Sequence, residues 1–152
     1  MLRNVLFCAV LVIAVVVTAA QTPIKKNCRT SVPGYDCGQT CIAFFVGCYH
    51  SNGPTQILPK NSLVNLRHTI DWQKWMQDGS AGDLIKKCAQ LAVQKNMKYF
   101  GIEYYGECYF GNTLNQSQPK VTTEDDCTKY CGFDVGGASA MVVYEVFTPP
   151  SK

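Results

Sequence analysis

Residues 98–112 read KYFGIEYYGECYFGN, and this stretch decides the fold because its two strand-like runs place aromatic residues around a single cysteine. Successive side chains of a strand point to opposite faces of a sheet. Cys108 lies in the second run, ECYFGN, which we expect to be a second extended piece or a continuation of the first. Alternation predicts a core face with Phe100, Ile102 and Tyr104, and an outward face with Tyr99, Gly101, Glu103 and Tyr105.

The segment immediately upstream, AGDLIKKCAQLAVQKNMK at residues 81–98, has the apolar periodicity of a helix. Asp83 in the first turn and Lys95 near the end suit the helix dipole. The apolar face includes Cys88, which therefore points toward the core. Because this helix leads directly into the strand before Cys108, we predict a Cys88–Cys108 disulfide that ties the helix to the sheet.

Two further strands are predicted at the ends of the region. IAFFVGCYH at residues 42–50 has aromatic and β-branched content, and SAMVVYEVF at 139–147 is a closing strand. Between them, LVNLRHTIDWQKWM at 63–76 is only loosely helical. The order of elements predicts a small α+β domain, with an antiparallel sheet packed on one main helix.

The first 20 residues, MLRNVLFCAVLVIAVVVTAA, have the basic start, short apolar run and small-residue exit of a secretory signal. We expect a secreted, soluble chain that begins near Gln21 and has no membrane span. The formal net charge is only +3 and lysines cluster only in pairs, so nucleic acid is not an expected partner. Residues 148–152 are expected to form a flexible tail.

The chain has nine cysteines, and Cys8 falls within the signal segment, which leaves an even number. A disulfide framework is the better interpretation than a zinc site in an exported chain, because the spacings lack the strong CxxC pairs. The remaining cysteines fall into a leader (residues 21–43) and a domain (44–147), and each of these segments holds an odd number of them. If all of them pair within the chain, an odd number of disulfides must join the leader to the domain. The leader cysteines are Cys28, Cys37 and Cys41; the domain cysteines are Cys48, Cys88, Cys108, Cys127 and Cys131.

Several short motifs occur in an order that resembles the WSC domain, a secreted carbohydrate-binding module. They are Gly47-Cys48-Tyr49, the helix with Cys88, the strand from Phe100 to Cys108, and Val135-Gly136-Gly137 followed by a strand through Tyr144. They resemble still more its compact, apple-like (PAN-type) relatives in extracellular invertebrate proteins. The chain departs from the family pattern at Phe110, where a cysteine is usual, and in a long insertion after Cys48.

The resemblance implies carbohydrate binding, and it suggests a Cys48–Cys131 disulfide that leaves Cys127 to reach a leader cysteine. The outward face of the central strand combines tyrosines with a carboxylate across a glycine, which suits a sugar. Trp72 and Trp75 add a possible stacking platform, although an aromatic pair at this spacing is equally often core. The candidate ligand-binding residues are Tyr99, Glu103, Tyr105, Trp72 and Trp75.

Catalytic and metal-binding interpretations are weaker. His50 and His68 lie in no catalytic motif. Glu103 and Glu107 are too far apart on one strand for glycoside hydrolysis unless Gly106 bends the chain. The acidic run at 124–126 favours a helix start over calcium. We expect no enzymatic activity, metal or cofactor.

Three functions remain open from the sequence, of which a hydrolase is the least favoured. The first is a secreted binding module for an extracellular polysaccharide or glycoprotein, including a component of an extracellular or skeletal matrix. The second is a cysteine-rich venom or defence polypeptide. Asn115-Gln116-Ser117 is a sequon in a polar loop, so we predict an N-glycan at Asn115.

Overall fold

The computed structural model describes residues 34–38, 41–51, 55–122 and 134–149. The signal segment, Cys28, Cys127, Cys131 and the acidic run at 124–126 lie outside the described residues, and so do their predictions. The described elements are β1 (Tyr35–Asp36), β2 (Ile42–His50), β3 (Val64–Asn65), α1 (Trp72–Asp78), α2 (Gly82–Gln94), β4 (Tyr99–Glu103), β5 (Glu107–Gly111) and β6 (Ala140–Phe147). Short 3-10 turns cover Lys60–Ser62 and Arg67–Thr69.

The six strands form one antiparallel sheet in the order β1-β2-β6-β4-β5-β3. The closing strand β6 is therefore central, between β2 and β4. Its first five residues are all buried. Such burial on both faces requires a layer of structure on each side of the sheet. The predicted α+β domain with an antiparallel sheet is present in the described residues. Helix α2 is the predicted main helix, and the short α1 begins in the stretch that the sequence showed as loosely helical.

The first layer is α2, whose apolar face packs on one side of the sheet. Phe100 and Tyr144 stack beneath it, with ring centroids 5.0 Å apart. Cys88 and Cys108 are both 0% exposed and form a disulfide, which confirms the predicted link between helix and sheet. A second disulfide joins Cys37 to Cys41. Cys48 is also disulfide-bonded, but the predicted pairing with Cys131 lies outside the described residues.

The second layer is the loop that follows β2, where the sequence indicated only a long insertion. Ile57 and Leu58 are buried against Tyr109, Met141 and Val143 on the side of the sheet away from α2. This loop therefore covers the middle of the β4 face that was predicted to point outward.

Candidate functional site

The turn between β4 and β5 has an unusual backbone. Tyr104 and Tyr105 have φ values of 47° and 63°, and the Gly106 N–H donates to the Glu103 carbonyl at 3.1 Å. Two consecutive positive φ values are typical of a type I′ hairpin turn, where Asn-Gly is the preferred pair. A left-handed conformation costs an ordinary residue about 1–2 kcal/mol. Two tyrosines therefore hold a strained turn, which we call the hairpin tip.

A short segment at residues 135–137, which we call the strap, fixes the hairpin tip from the side. The Tyr104 N–H donates to the Gly137 carbonyl at 3.0 Å, and the Tyr105 N–H donates to the Gly136 carbonyl at 2.8 Å. The Gly136 N–H in turn donates to the Ile102 carbonyl at 3.0 Å. Strained residues that the surrounding structure holds in place are often found at functional sites. The hairpin tip is strained and held in place in this way, which makes it a candidate site.

The turn corrects the predicted faces of the central strand. Tyr104 was predicted to be core but is 42% exposed, because β4 ends at Glu103 and the turn redirects the next two side chains. Tyr105 leaves the face that Tyr99 and Glu103 share. Tyr105 packs instead against the core between α2 and the sheet, next to Trp72.

The two tryptophans take different roles at the hairpin tip. Asp71 caps α1 by accepting the Lys74 backbone N–H at 3.0 Å, so the helix begins at Trp72. The Trp72 ring centroid lies 6.0 Å from that of Tyr105 and 5.2 Å from that of Trp75. Trp75 is only 4% exposed, whereas Trp72 is 48% exposed. The Trp72 ring is therefore accessible at the surface, while Trp75 supports it from the core.

Arg67 completes the surface beside these rings. Its guanidinium lies 4.2 Å from the Tyr104 ring centroid, a cation–π distance. The Leu66 N–H donates to the Gly106 carbonyl at 2.8 Å, and a Cβ at position 106 would lie 2.8 Å from Arg67 Cγ and 3.0 Å from its Cα. Glycine at position 106 therefore allows the 3-10 turn at Arg67–Thr69 to pack closely against the hairpin. The result is an open cleft of about 490 Å³ lined by Asn65, Arg67, His68 and Trp72.

We call this cleft, together with Tyr104 and Tyr105, the tip surface. Of the candidate residues, the structure brings together Tyr105, Trp72 and Trp75. Reasoning from the sequence missed the contributions of Tyr104 and Arg67. Two adjacent tyrosines followed by Gly106, between two strand-like runs, were the available signal of a hairpin turn.

The other two candidates, Tyr99 and Glu103, lie on the opposite face of the sheet. Tyr99 packs against the cluster that Ile57 and Leu58 form on the side of the sheet away from α2, and the Lys98 ammonium lies 5.0 Å from the Tyr99 ring centroid. The Glu103 carboxylate accepts hydrogen bonds from Ser51 Oγ and from Gln56 Nε2, the latter at 3.2 Å. Burial raises the pKa of Glu103, the Ser51 hydrogen bond opposes that shift, and the negative charge of Glu107 adds to it.

The hairpin also places Glu103 directly opposite Glu107 in the strand register. The chain does bend between Glu103 and Glu107, as a catalytic carboxylate pair for glycoside hydrolysis would require. Glu107 Oε2, however, accepts the Tyr109 hydroxyl at 3.0 Å, and Glu103 is bonded as described above. Both carboxylates therefore serve structural hydrogen bonds in this conformation.

The described residues contain neither a metal-binding cluster nor a helix that could span a membrane. Within 34–38, 41–51, 55–122 and 134–149, no three or more His, Cys, Asp or Glu side chains are grouped so that they could hold a metal ion. In the same ranges, no helix has the length and apolar character needed to cross a membrane.

Comparison with known protein families gives a match. The family model of the WSC domain matches residues 45–138, which is more than half of the chain. No curated protein matches the sequence. The matched region contains Cys48, the Cys88–Cys108 disulfide, the hairpin tip and the strap. A match of this extent, over the motifs that build the sheet and hold its hairpin, means that the chain belongs to the WSC domain family.

Proposed function

We propose that this protein is a secreted extracellular protein that binds carbohydrate through the tip surface. Family membership supports the general part of this proposal, because WSC domains bind carbohydrates. The observation that carries the choice of site is the exposure of Tyr104 on a strained turn held by the strap, beside the exposed Trp72 ring at the start of α1. Neither ring is needed there to fill the core.

The chemistry of the tip surface suits a sugar. Aromatic rings offer large, rigid contact areas, and the C–H faces of a pyranose ring can stack on them. Binding sites combine such apolar surface with a few polar groups that fix the orientation of the ligand. Asn65, Arg67 and His68 provide an amide, a guanidinium and an imidazole for sugar hydroxyls. The open shape of the cleft suits a polysaccharide chain that passes through it.

Two features support a location outside the cell. The Cys37–Cys41 and Cys88–Cys108 disulfides are typical of proteins from oxidising compartments. Residues 1–20 have the pattern of a secretory signal. We further propose that the protein is a component of an extracellular or skeletal matrix, since a secreted protein that binds polysaccharide would be retained there.

Retention on immobilised chitin, β-glucan and glycosaminoglycan columns tests the proposal. We expect the wild type to be retained on at least one column, and Trp72→Ala and Tyr104→Ala to weaken binding about fivefold or more, since an aromatic contact contributes roughly 1 kcal/mol. Phe147→Ala is the matched control: Phe147 is 51% exposed, but it lies at the far end of β6 from the hairpin tip. Circular dichroism checks that each variant is folded.

Failure to retain the wild type on any column would contradict the proposal. So would an equal loss of binding in Phe147→Ala, because the binding surface would then lie elsewhere on the sheet.

A further inference from the structure

The Arg67 guanidinium carries hydrogen-bonding capacity that the described residues do not use. It has five N–H donors in a planar fork. In the described part of the chain its interaction is with the Tyr104 ring, and no carboxylate or carbonyl accepts from it. Two lysines elsewhere in the described chain differ in this respect, since Lys74 pairs with Asp83 and Lys98 pairs with Glu145. Arg67 therefore presents a donor fork to the ligand side of the cleft.

The position of this fork is fixed by the backbone around it. The Arg67 N–H donates to Asn65 Oδ1 at 3.0 Å, and the Arg67 carbonyl accepts from the Ile70 N–H at 3.3 Å. The side chain then lies over Gly106 and stacks on Tyr104. An arginine held in this way loses less conformational freedom when it binds an anion than a free surface lysine does.

The acidic residue nearest in sequence to the cleft forms no ion pair with Arg67 in the described part of the chain. Asp71 precedes Trp72, and its carboxylate is engaged by the backbone N–H of Lys74 at the start of α1. The Lys74 ammonium in turn neutralises Asp83. Among the residues that line the cleft, Arg67 carries the permanent charge, and it lies in the same lining as the exposed Trp72 ring.

We infer that the tip surface selects acidic polysaccharides, and that Arg67 binds the carboxylate or sulfate group of a sugar stacked beside it on Trp72. This inference rests on the proposed function and names its ligand class. Guanidinium groups bind planar carboxylates and sulfate-like oxyanions through two parallel N–H···O bonds. A neutral sugar would use the same rings but would leave this fork to water.

Three soluble β-1,4-glucans test the ligand class because they share one backbone. They are hydroxyethyl cellulose, carboxymethyl cellulose and cellulose sulfate. Affinity electrophoresis in 150 mM NaCl reduces non-specific attraction between the cationic protein and a polyanion. We expect the wild type to bind one or both charged polymers about tenfold more tightly than the neutral one, as charge-assisted hydrogen bonds would give. The carboxymethyl and sulfate arms show which oxyanion is preferred.

Variants separate the specific contact from net charge. Arg67→Gln should remove the preference for the charged polymers while retaining binding to the neutral one. Arg67→Lys should keep only part of the preference, because it retains the charge without the fork. Lys87→Gln is the matched control, since Lys87 is exposed on α2 and its loss removes the same charge.

Equal binding of all three polymers by the wild type would overturn the inference and leave the proposed function standing. An equal effect of Arg67→Gln and Lys87→Gln would also overturn it, because the preference would then come from net charge. Absence of binding to any polysaccharide on the columns described above would instead contradict the proposed function itself.

Discussion

Gly136→Ala is the substitution that tests most sharply how the strap holds the hairpin tip. A Cβ at position 136 would lie 2.0 Å from the Ala140 carbonyl oxygen and 2.7 Å from the Ile102 carbonyl oxygen. Both are backbone atoms, so no side-chain movement relieves the contact. The strap must shift away from β4 and β6, and the hydrogen bonds that it makes to the hairpin must lengthen or break.

The expected loss of stability follows from the bonds involved. Three backbone hydrogen bonds join the strap to Ile102, Tyr104 and Tyr105. Each contributes a net 0.5–1.5 kcal/mol, so their loss costs about 3 kcal/mol. Alanine also restricts the unfolded chain, which offsets roughly 0.4–1 kcal/mol. We therefore expect the free energy of unfolding to fall by about 2–3 kcal/mol, a large part of the 5–15 kcal/mol typical of a domain.

Urea denaturation followed by circular dichroism measures this loss. The midpoint should fall with little change in the m-value, because the unfolded surface is the same. Gly82→Ala is the matched control: its new Cβ would meet only ordinary contacts, at 3.7 Å from Tyr35 and 3.8 Å from Ser80, and alanine favours the helix there. A loss below about 1 kcal/mol in Gly136→Ala, or a loss no greater than in Gly82→Ala, would refute the account of the strap.

Three further predictions concern other parts of the molecule. Replacing Cys88 and Cys108 together by alanine should lower the free energy of unfolding by about 3 kcal/mol, because the disulfide closes a 20-residue separation; a denaturant midpoint equal to that of wild type would contradict this. Burial raises the pKa of Glu103, so its contribution to stability is present at acid pH and is lost as the pH rises through the folded-state pKa. Glu103→Gln should therefore gain stability relative to wild type as the pH rises from about 4 to 7, and an unchanged difference across that range would count against it. Asn115 should carry an N-glycan in a eukaryotic host, which a shift in mass after glycosidase treatment would reveal and an unchanged mass would exclude.

The parts of the fold that the sequence predicts well are those set by local patterns. Helix α2 extends over 13 residues with a consistent apolar face, so the inward direction of Cys88 follows from periodicity alone. Its disulfide with Cys108 then follows from the short connection to β4. The closing strand is likewise predictable from its β-branched residues, although its central place in the sheet is not, because strand order depends on contacts far apart in the chain.

The hairpin tip could not be predicted in the same way. Alternation holds through Glu103, and continuing it by one residue wrongly assigned Tyr104 to the core. The turn has no Asn-Gly pair; the carbonyls that stabilise its conformation come from Gly136 and Gly137, more than 30 residues later. The pairing of Arg67 with Tyr104 depends on that turn, so no local pattern predicts it.

The central claim is that carbohydrate binds at the hairpin tip, and amide NMR titration with a retained oligosaccharide tests it most directly. The chain has only two tryptophans, so two indole N–H signals can be assigned with the Trp72→Phe variant. We expect the Trp72 indole signal and the backbone amides of Arg67, Tyr104 and Tyr105 to shift together on titration. Shifts confined to Tyr99, Glu103 and their neighbours on the opposite face of the sheet would contradict it.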